Sequence, residues 1–497
     1  MKHTVVLVMI MLLTGTAMAQ VDIEAMRAKQ QQMREKYEKQ KQQAQHQYDD
    51  ARRKAEAEYA AFRKRANEDY AAAMQQGWSK MGVEPAVPKP AEPKPPRPPQ
   101  PKLEKLPTSN PLPQSEVVPQ PPKMDPVPLP PIPEPEPTVP TVQVPFYGTT
   151  FTVHADREAL RFHLSSLEER SIAEAWKQLS SDKYDGLLHD CIAQREMLHL
   201  SDWGYLCLLR NTCEQLLGKG SDEAVLLQMY LLAQSGYRAR IARADNKLVL
   251  LVPFNRSIYN YSFINIDGVE HYILSTEKPR NVSVCKVAFP REKVANILMG
   301  QLPELDNGNK RSRTLQSKRY GSMRATVTVE QGLIDYLNDY PLSSAWEYYA
   351  LAGLSEGVKA TLYPALRSQM AGKSKTVAAE MLLNFVQTTF DYATDQEQFG
   401  YERPLFGDES IFYPMNDCED RSIFYSILVR DLLGLDVVLV HWPGHLATAV
   451  AFPENVSGDY FTLDGRRYTV CDPTYIGASI GETMPAFQKV DAKLVRL

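Results

Sequence analysis

The 497-residue chain has few cysteines, almost no net charge and no long apolar run, and each scarcity excludes a class of protein. Lysine and arginine together number 56 against 60 aspartates and glutamates, a formal charge of −4 with a pI near 6.2. That balance gives no electrostatic reason to expect nucleic acid as a partner. The apolar run at residues 5–13 is too short to span a bilayer, and no other stretch is long enough, so no stable membrane insertion is expected. Six cysteines (Cys191, Cys207, Cys213, Cys285, Cys418 and Cys471) are too few for a dense disulfide framework, so the core must come from burial. Nor do His441, His445, Cys418 and Asp472 show the paired spacing of a metal site; neither metal nor other cofactor is expected.

Lys2 and His3 precede the apolar run, and Ala17-Met18-Ala19 supplies small residues before Gln20. This is the pattern of a signal peptide at 1–19, cut after Ala19, so a periplasmic or secreted protein is expected. Residues 20–82 contain no proline and are rich in Ala, Gln, Lys, Arg and Glu, which favours one long helix. Met26, Tyr37, Tyr48, Tyr59, Tyr70 and Met81 recur every eleven residues, a period that keeps a stripe on one side with right-handed drift. A homo-oligomeric coiled coil through 21–82 fits that stripe. A single helix held by pairs such as Glu35–Lys39 fits the lack of Leu and Ile in it.

Residues 83–145 hold two-thirds of the 36 prolines. Such a stretch excludes helix and central strand, and reads as a polyproline II spacer reaching on the order of 190 Å when fully extended. Two folded regions are expected beyond it, at 146–296 and 374–497, joined by a mixed stretch at 297–373. In that stretch a strand is expected at 324–329 and helices near 332–337 and 343–352. A further amphipathic helix is expected at 376–392.

The two folded regions resemble each other, with the chemistry in only one. In the later region Cys418 opens an apolar helical run ending at Gly434, His445 lies eleven residues beyond, and Asp472 follows a strand. In the earlier region Ser221 opens a similar run ending at Gly236, Lys247 lies eleven residues beyond, and Ser275 aligns with Asp472. Only the later region carries the long insertion at 395–416, which is expected to wall the site.

Cysteine, histidine and aspartate in this order suit a thiol nucleophile. Only the thiolate attacks carbonyls well, and a helix start with Asn416 or Asp417 as cap should lower the Cys418 pKa, with His445 holding the proton. Glu419 and Asp420 oppose this but also favour the helix end. Alternation puts His445, Ala447, Ala449 and Ala451 on one strand face, leaving room for the Cys418 helix, while Asp472 points at His445 and Cys471 points away. Each residue alone has a plainer reading: a buried small hydrophobe, a core histidine, an Asp-Pro turn.

Asp417-Cys418-Glu419-Asp420-Arg421, Gly444-His445-Leu446-Ala447 and Cys471-Asp472-Pro473-Thr474 together resemble the transglutaminase-like superfamily. The resemblance implies an α+β fold of two transglutaminase-like (papain-like) domains, each a helix packed on an antiparallel sheet, the first degenerate. It further implies Cys418 as nucleophile, His445 as base and then acid, and Asp472 as orienting carboxylate. The Cys418 N–H and one of Gln387, Tyr413 or Asn416 are oxyanion candidates. Hydrolysis of an amide in a protein or peptide substrate is expected ahead of transamidation. The rival reading is a non-catalytic scaffold that binds peptide or cell-wall fragments.

Overall fold

The computed structural model describes residues 2–96, 98–100, 109–122, 132, 135, 138–275, 279, 281–305 and 308–497, with side chains from residue 29. The side chains of the expected leader, Met26 of the stripe and several pieces of the proline-rich stretch lie outside the described residues. The fold is α+β.

The first 65 residues form one unit, a helix that continues as Lys2–Met74. Its polar surface is laced by i,i+4 contacts such as Arg52 Nε to Glu56 Oε1 at 2.8 Å. Met33, Tyr37 and Tyr48 of the eleven-residue stripe are each 63% exposed. Among the described residues, no helix is long and apolar enough to cross a membrane.

The second unit, 66–497, is built on two six-stranded sheets. It begins within the last turns of the long helix, where Tyr70 packs at a tilt on Trp176 and edge-on against Phe289, ring centres 4.7 and 5.4 Å away. The helix stops at Met74 rather than near 82, because Trp78–Gly82 is a strand. Gly77 makes the exit: a Cβ there would lie 2.3 Å from Val287. Met81 therefore leaves the helical stripe and packs against the core of the first sheet.

Strand for strand, the two sheets have the same order. The first runs Trp78–Gly82, Asn281–Cys285, Arg240–Ala244, Lys247–Val252, Val269–Ile273, Phe263–Ile266. The second runs Gln114–Val118, Ala492–Arg496, Val437–Trp442, His445–Val450, Arg466–Cys471, Tyr460–Leu463. Each is fed by a helix, Asp222–Gln234 or Cys418–Leu433. Each ends in a two-residue hairpin whose Asp-Gly has positive φ at both positions, 52° and 82° in one and 50° and 73° in the other. The outer edge strands differ: Trp78–Gly82 pairs antiparallel and Gln114–Val118 parallel.

That second edge strand corrects the expectation of a free spacer. Glu84 bridges Phe263 of the first sheet, Pro111 bridges Tyr460 of the second, and Gln114–Val118 completes the second sheet. Proline permits this because an edge strand has one side without ladder bonds. Between the sheets in sequence lie the hairpin Lys310–Gln316/Arg324–Glu330 and the helices Gln331–Asn338, Trp346–Leu351 and Glu356–Met370. The amphipathic helix expected at 376–392 is Lys375–Thr389.

Candidate active site

Cys418 is the first residue of a helix that is buried on every side for its first three turns. Full burial of side chains such as Phe424 and Ile427 contributes roughly 1.5–3 kcal/mol each. The polar residues after Cys418 fix the helix start. Asp420 accepts the Asp417 N–H at 3.2 Å and the Leu405 N–H at 2.8 Å. The wholly buried Arg421 guanidinium donates to the carbonyls of Gln387, Phe390 and Asn416. Ser422 Oγ donates to the Leu446 carbonyl at 2.9 Å, tying the helix to the strand beside it.

His445 opens that strand after the tight turn at Gly444, whose φ is +72°. Its Nε2 lies 2.8 Å from Asp472 Oδ2, with both side chains 2% exposed. The other Asp472 oxygen accepts the N–H groups of Thr474 and Tyr475 at 2.9 and 3.1 Å, so the carboxylate cannot swing. Phe487 stacks parallel to the imidazole at 5.0 Å, with Trp442 at 6.1 Å. A carboxylate on Nε2 leaves Nδ1 as the nitrogen for proton exchange. Cys418 and His445 line one cavity of about 180 Å³.

Three expectations need revision. The alanine face of the His445 strand does not meet the Cys418 helix: Ala447, Ala449 and Ala451 cluster with Trp442, Phe461 and Leu494. Cys418 instead packs on the other face, against Leu446 and Leu439. Its thiol is not activated at rest. Burial pushes its pKa well above the usual thiol range, as do the charges of Glu419 and Asp417; Lys94 and the Leu446 N–H only partly counter them. Sγ donates to Glu419 Oε2 at 3.2 Å, not to the imidazole. The helix-end field is outweighed by burial and by the nearby carboxylates of Glu419 and Asp417.

None of the three oxyanion side-chain candidates lines the cavity. Gln387 Nε2 donates to the carbonyls of Asp472, Tyr475 and Ala478, and its Oε1 accepts the Gly477 N–H. It braces the loop carrying Asp472. Tyr413 donates to Asn338, and Asn416 donates to the Ser410 carbonyl. His441 turns to Glu92 at 3.3 Å and packs at a tilt against Trp346. All six cysteines are free and buried, and Cys471 points away from His445 toward Tyr425.

The principal residue missed from sequence is Lys94, in the stretch read as spacer. Its ammonium touches Glu419, lies 2.7 Å from Asp417 and 2.8 Å from Glu402, and is 3.9 Å from Asp395. Asp395 and Glu402 belong to the insertion, which thus walls the site with carboxylates. Burial and the neighbouring Glu419 push Asp395 up to about 9 and Glu402 up to about 7. Glu419 itself stays ionised, held well below the usual range chiefly by Lys94, which offsets its burial. Asp417, Cys418 and Glu419 approach closely enough to share a metal ion, as do Asp395, Glu402 and Glu419. Every carboxylate in these sets already faces the Lys94 ammonium.

The earlier region places Ser221, Lys247 and Ser275 around a cavity of about 510 Å³. Ser221, however, caps its helix, accepting the Ala224 N–H at 3.1 Å. The first helical residue is Asp222, whose carboxylate accepts the N–H of Leu248, the second residue of the strand. Cys418 likewise takes the N–H of Leu446, the second residue of its strand. Asp222 is therefore the counterpart of Cys418, one residue beyond the Ser221 pairing read from sequence. Comparison with family models, curated proteins and solved structures returns no match.

Proposed function

We propose that the chain is an exported thiol enzyme of the transglutaminase-like superfamily, acting on amide bonds through a thioester. The observation that carries this reading is the His445–Asp472 pair, buried and fixed at 2.8 Å, opening onto the same small cavity as a cysteine at a helix start. Cys418 Sγ attacks the amide carbon as its proton passes to His445 Nδ1. Collapse returns that proton to the leaving amine, and the acyl group remains on sulfur. Water, deprotonated by His445, then releases the acid and the thiol. Asp472 stabilises the imidazolium formed at each stage. Because the resting thiol is protonated, His445 acts as base during attack instead of holding a preformed ion pair.

Hydrolysis is favoured over transamidation on electrostatic grounds. An ammonium surrounded by Asp417, Glu419 and Glu402 keeps its proton, and without a free lone pair it cannot attack a thioester. Burial beside these carboxylates also supports the second reading, a binding scaffold, since it disarms Cys418. The pattern of residues 1–19 supports export, and the exposed stripe at Met33, Tyr37 and Tyr48 supports self-association.

A small activated ester such as p-nitrophenyl acetate, which needs no specificity pocket, separates the two readings. Intact-mass measurement should find one acetyl group on Cys418, none in Cys418→Ala, and slower formation in His445→Ala. Acetylation spread over several residues, or unchanged in both variants, would favour the scaffold.

A further inference from the structure

The strand-free segment 85–96 joins the two halves of the site in an unexpected way. It leaves the first sheet at Glu84 and is tied by the Asn260 N–H to the Val87 carbonyl at 3.0 Å. It then crosses the mouth of the cavity that holds Cys418 and His445. Glu92 accepts the Gly444 N–H, one residue before His445. The Pro93 carbonyl lies so close to Gly444 that a Cβ there would come within 2.5 Å of its oxygen. Tyr392 Oη donates to the Pro95 carbonyl at 3.0 Å. Between the Pro93 carbonyl, packed against Gly444, and the bonded Pro95 carbonyl, Lys94 drops its side chain among the four carboxylates, where it is 7% exposed. Prolines on both sides bias the backbone there toward an extended form.

We propose that Asp395, Glu402, Asp417 and Glu419 form a subsite for a lysine side chain on an extended, proline-flanked peptide, and that Pro93-Lys94-Pro95 is its resident occupant. The inference rests on the function proposed above and names the class of substrate that site would take.

Three observations favour a recognition site over a clamp that merely holds the fold. Main chain and side chain are gripped together, as a site that reads a peptide requires. One lysine balances one carboxylate, yet four surround it, and Asp417 Oδ1 is buried with no hydrogen-bond partner among the described residues. A structural pair has no need of so many oxygens, whereas a site that recognises the three donors of an ammonium uses them. Lastly, the tripeptide occurs twice in succession, as Pro88-Lys89-Pro90 and Pro93-Lys94-Pro95. Lys89 lines the same cavity with its ammonium buried and without a hydrogen-bond partner. Lys94 therefore shows how a substrate lysine sits, and its segment must leave before one can enter. The segment acts as a tethered competitor, and apparent affinity for any peptide in trans falls with the fraction of time it is docked.

The test is fluorescence anisotropy of a labelled peptide, acetyl-Ala-Glu-Pro-Lys-Pro-Pro-amide, with the full chain. Lys94→Ala should bind it saturably and at least about tenfold tighter than the unaltered protein, whose subsite is occupied. A peptide with norleucine for lysine should bind at least about thirtyfold more weakly, as expected for removing one partner of a buried charge pair. Should Lys94→Ala not fold, Pro93→Gly with Pro95→Gly loosens the segment while keeping its cation, and should also bind the peptide tighter than the unaltered protein. No binding to either folded variant, or equal binding of the norleucine peptide, would overturn the proposal.

Repeating the titration in a Cys418→Ala background removes the acyl chemistry. Binding retained there, with no acetylation by p-nitrophenyl acetate in the intact chain, would keep the subsite and sink the enzyme. Acetylation without peptide binding would do the reverse.

Discussion

The two sheets share an order of strands, a hairpin type and a feeding helix, yet they surround very different cavities. The first encloses about 510 Å³ lined by Ser221, Lys247 and Ser275, with Asp222 at the adjoining helix start. The second encloses about 180 Å³ lined by Cys418, His445, Lys94 and Glu402 of the insertion, with Asp472 behind the imidazole. One framework thus supports both arrangements, and what separates them is a few side chains with the two segments that cover them. Fold alone does not separate them; a buried His445–Asp472 pair beside a cysteine is present in the second region and not in the first.

The largest expected difference between the halves is in acylation. Cys418→Ala should abolish acetylation by p-nitrophenyl acetate, while Asp222→Cys, which places a thiol at the matching helix start, should gain none. Mass mapping of the adduct checks both; an adduct on the new cysteine would break the comparison.

Next is the partner of the base. Asp472→Ala should slow acetylation of Cys418 by about 10²–10⁴-fold, the usual range for losing acid–base help, whereas Ser275→Ala should leave it unchanged. Stopped-flow rates decide this, with circular dichroism to establish that both variants are folded.

A smaller, structural effect is expected at Gln387. Its amide bonds brace the loop after Asp472, so Gln387→Met should cost about 1–3 kcal/mol in denaturant unfolding. If Gln387 instead completed an oxyanion hole, the loss would appear in the rate of acylation at unchanged stability.

The smallest effect is on pH dependence. Burial, then Glu419, raises Asp395 to about 9, and the same causes raise Asp420 to about 7. Folded protein therefore binds more protons than unfolded chain between about pH 4 and these values, so stability falls as pH rises through that window. Tm should decline from pH 6.5 to 9, a range above the unfolded pKa of His271, which burial lowers to about 4 and whose contribution has the opposite sign. A Tm that climbs over this range would mean that the acidic well is ionised and compensated in some other way.

Local pattern made much of this legible. The apolar run opened by Cys418 and ended by Gly434 marked its helix, whose end is left-handed at Gly434. The pairing of His445 with Asp472 followed from strand alternation. The failures were non-local. Which face of the sheet the helix would cover depends on packing that alternation cannot choose, and the alanines proved to face Trp442 instead. The thiol's raised pKa comes first from burial, which the whole fold supplies, and then from Glu419 and Asp417, with Lys94 from a distant segment opposing them. Among the described residues of 83–145 there is no central strand, but an edge strand and a docked segment satisfy the same rule as a free spacer. Lys94 carried one faint signal, its repetition of Pro88-Lys89-Pro90.

The most direct test is the rate at which iodoacetamide alkylates each of the six cysteines, measured from pH 6 to 9 in the native chain and in His445→Ala. The result expected is selective modification of Cys418 over the other buried thiols, slowed at least about tenfold when the imidazole that takes its proton is removed. Modification of Cys418 that is no faster than that of Cys471, or that is indifferent to His445, would contradict a thiol–imidazole site at the second sheet.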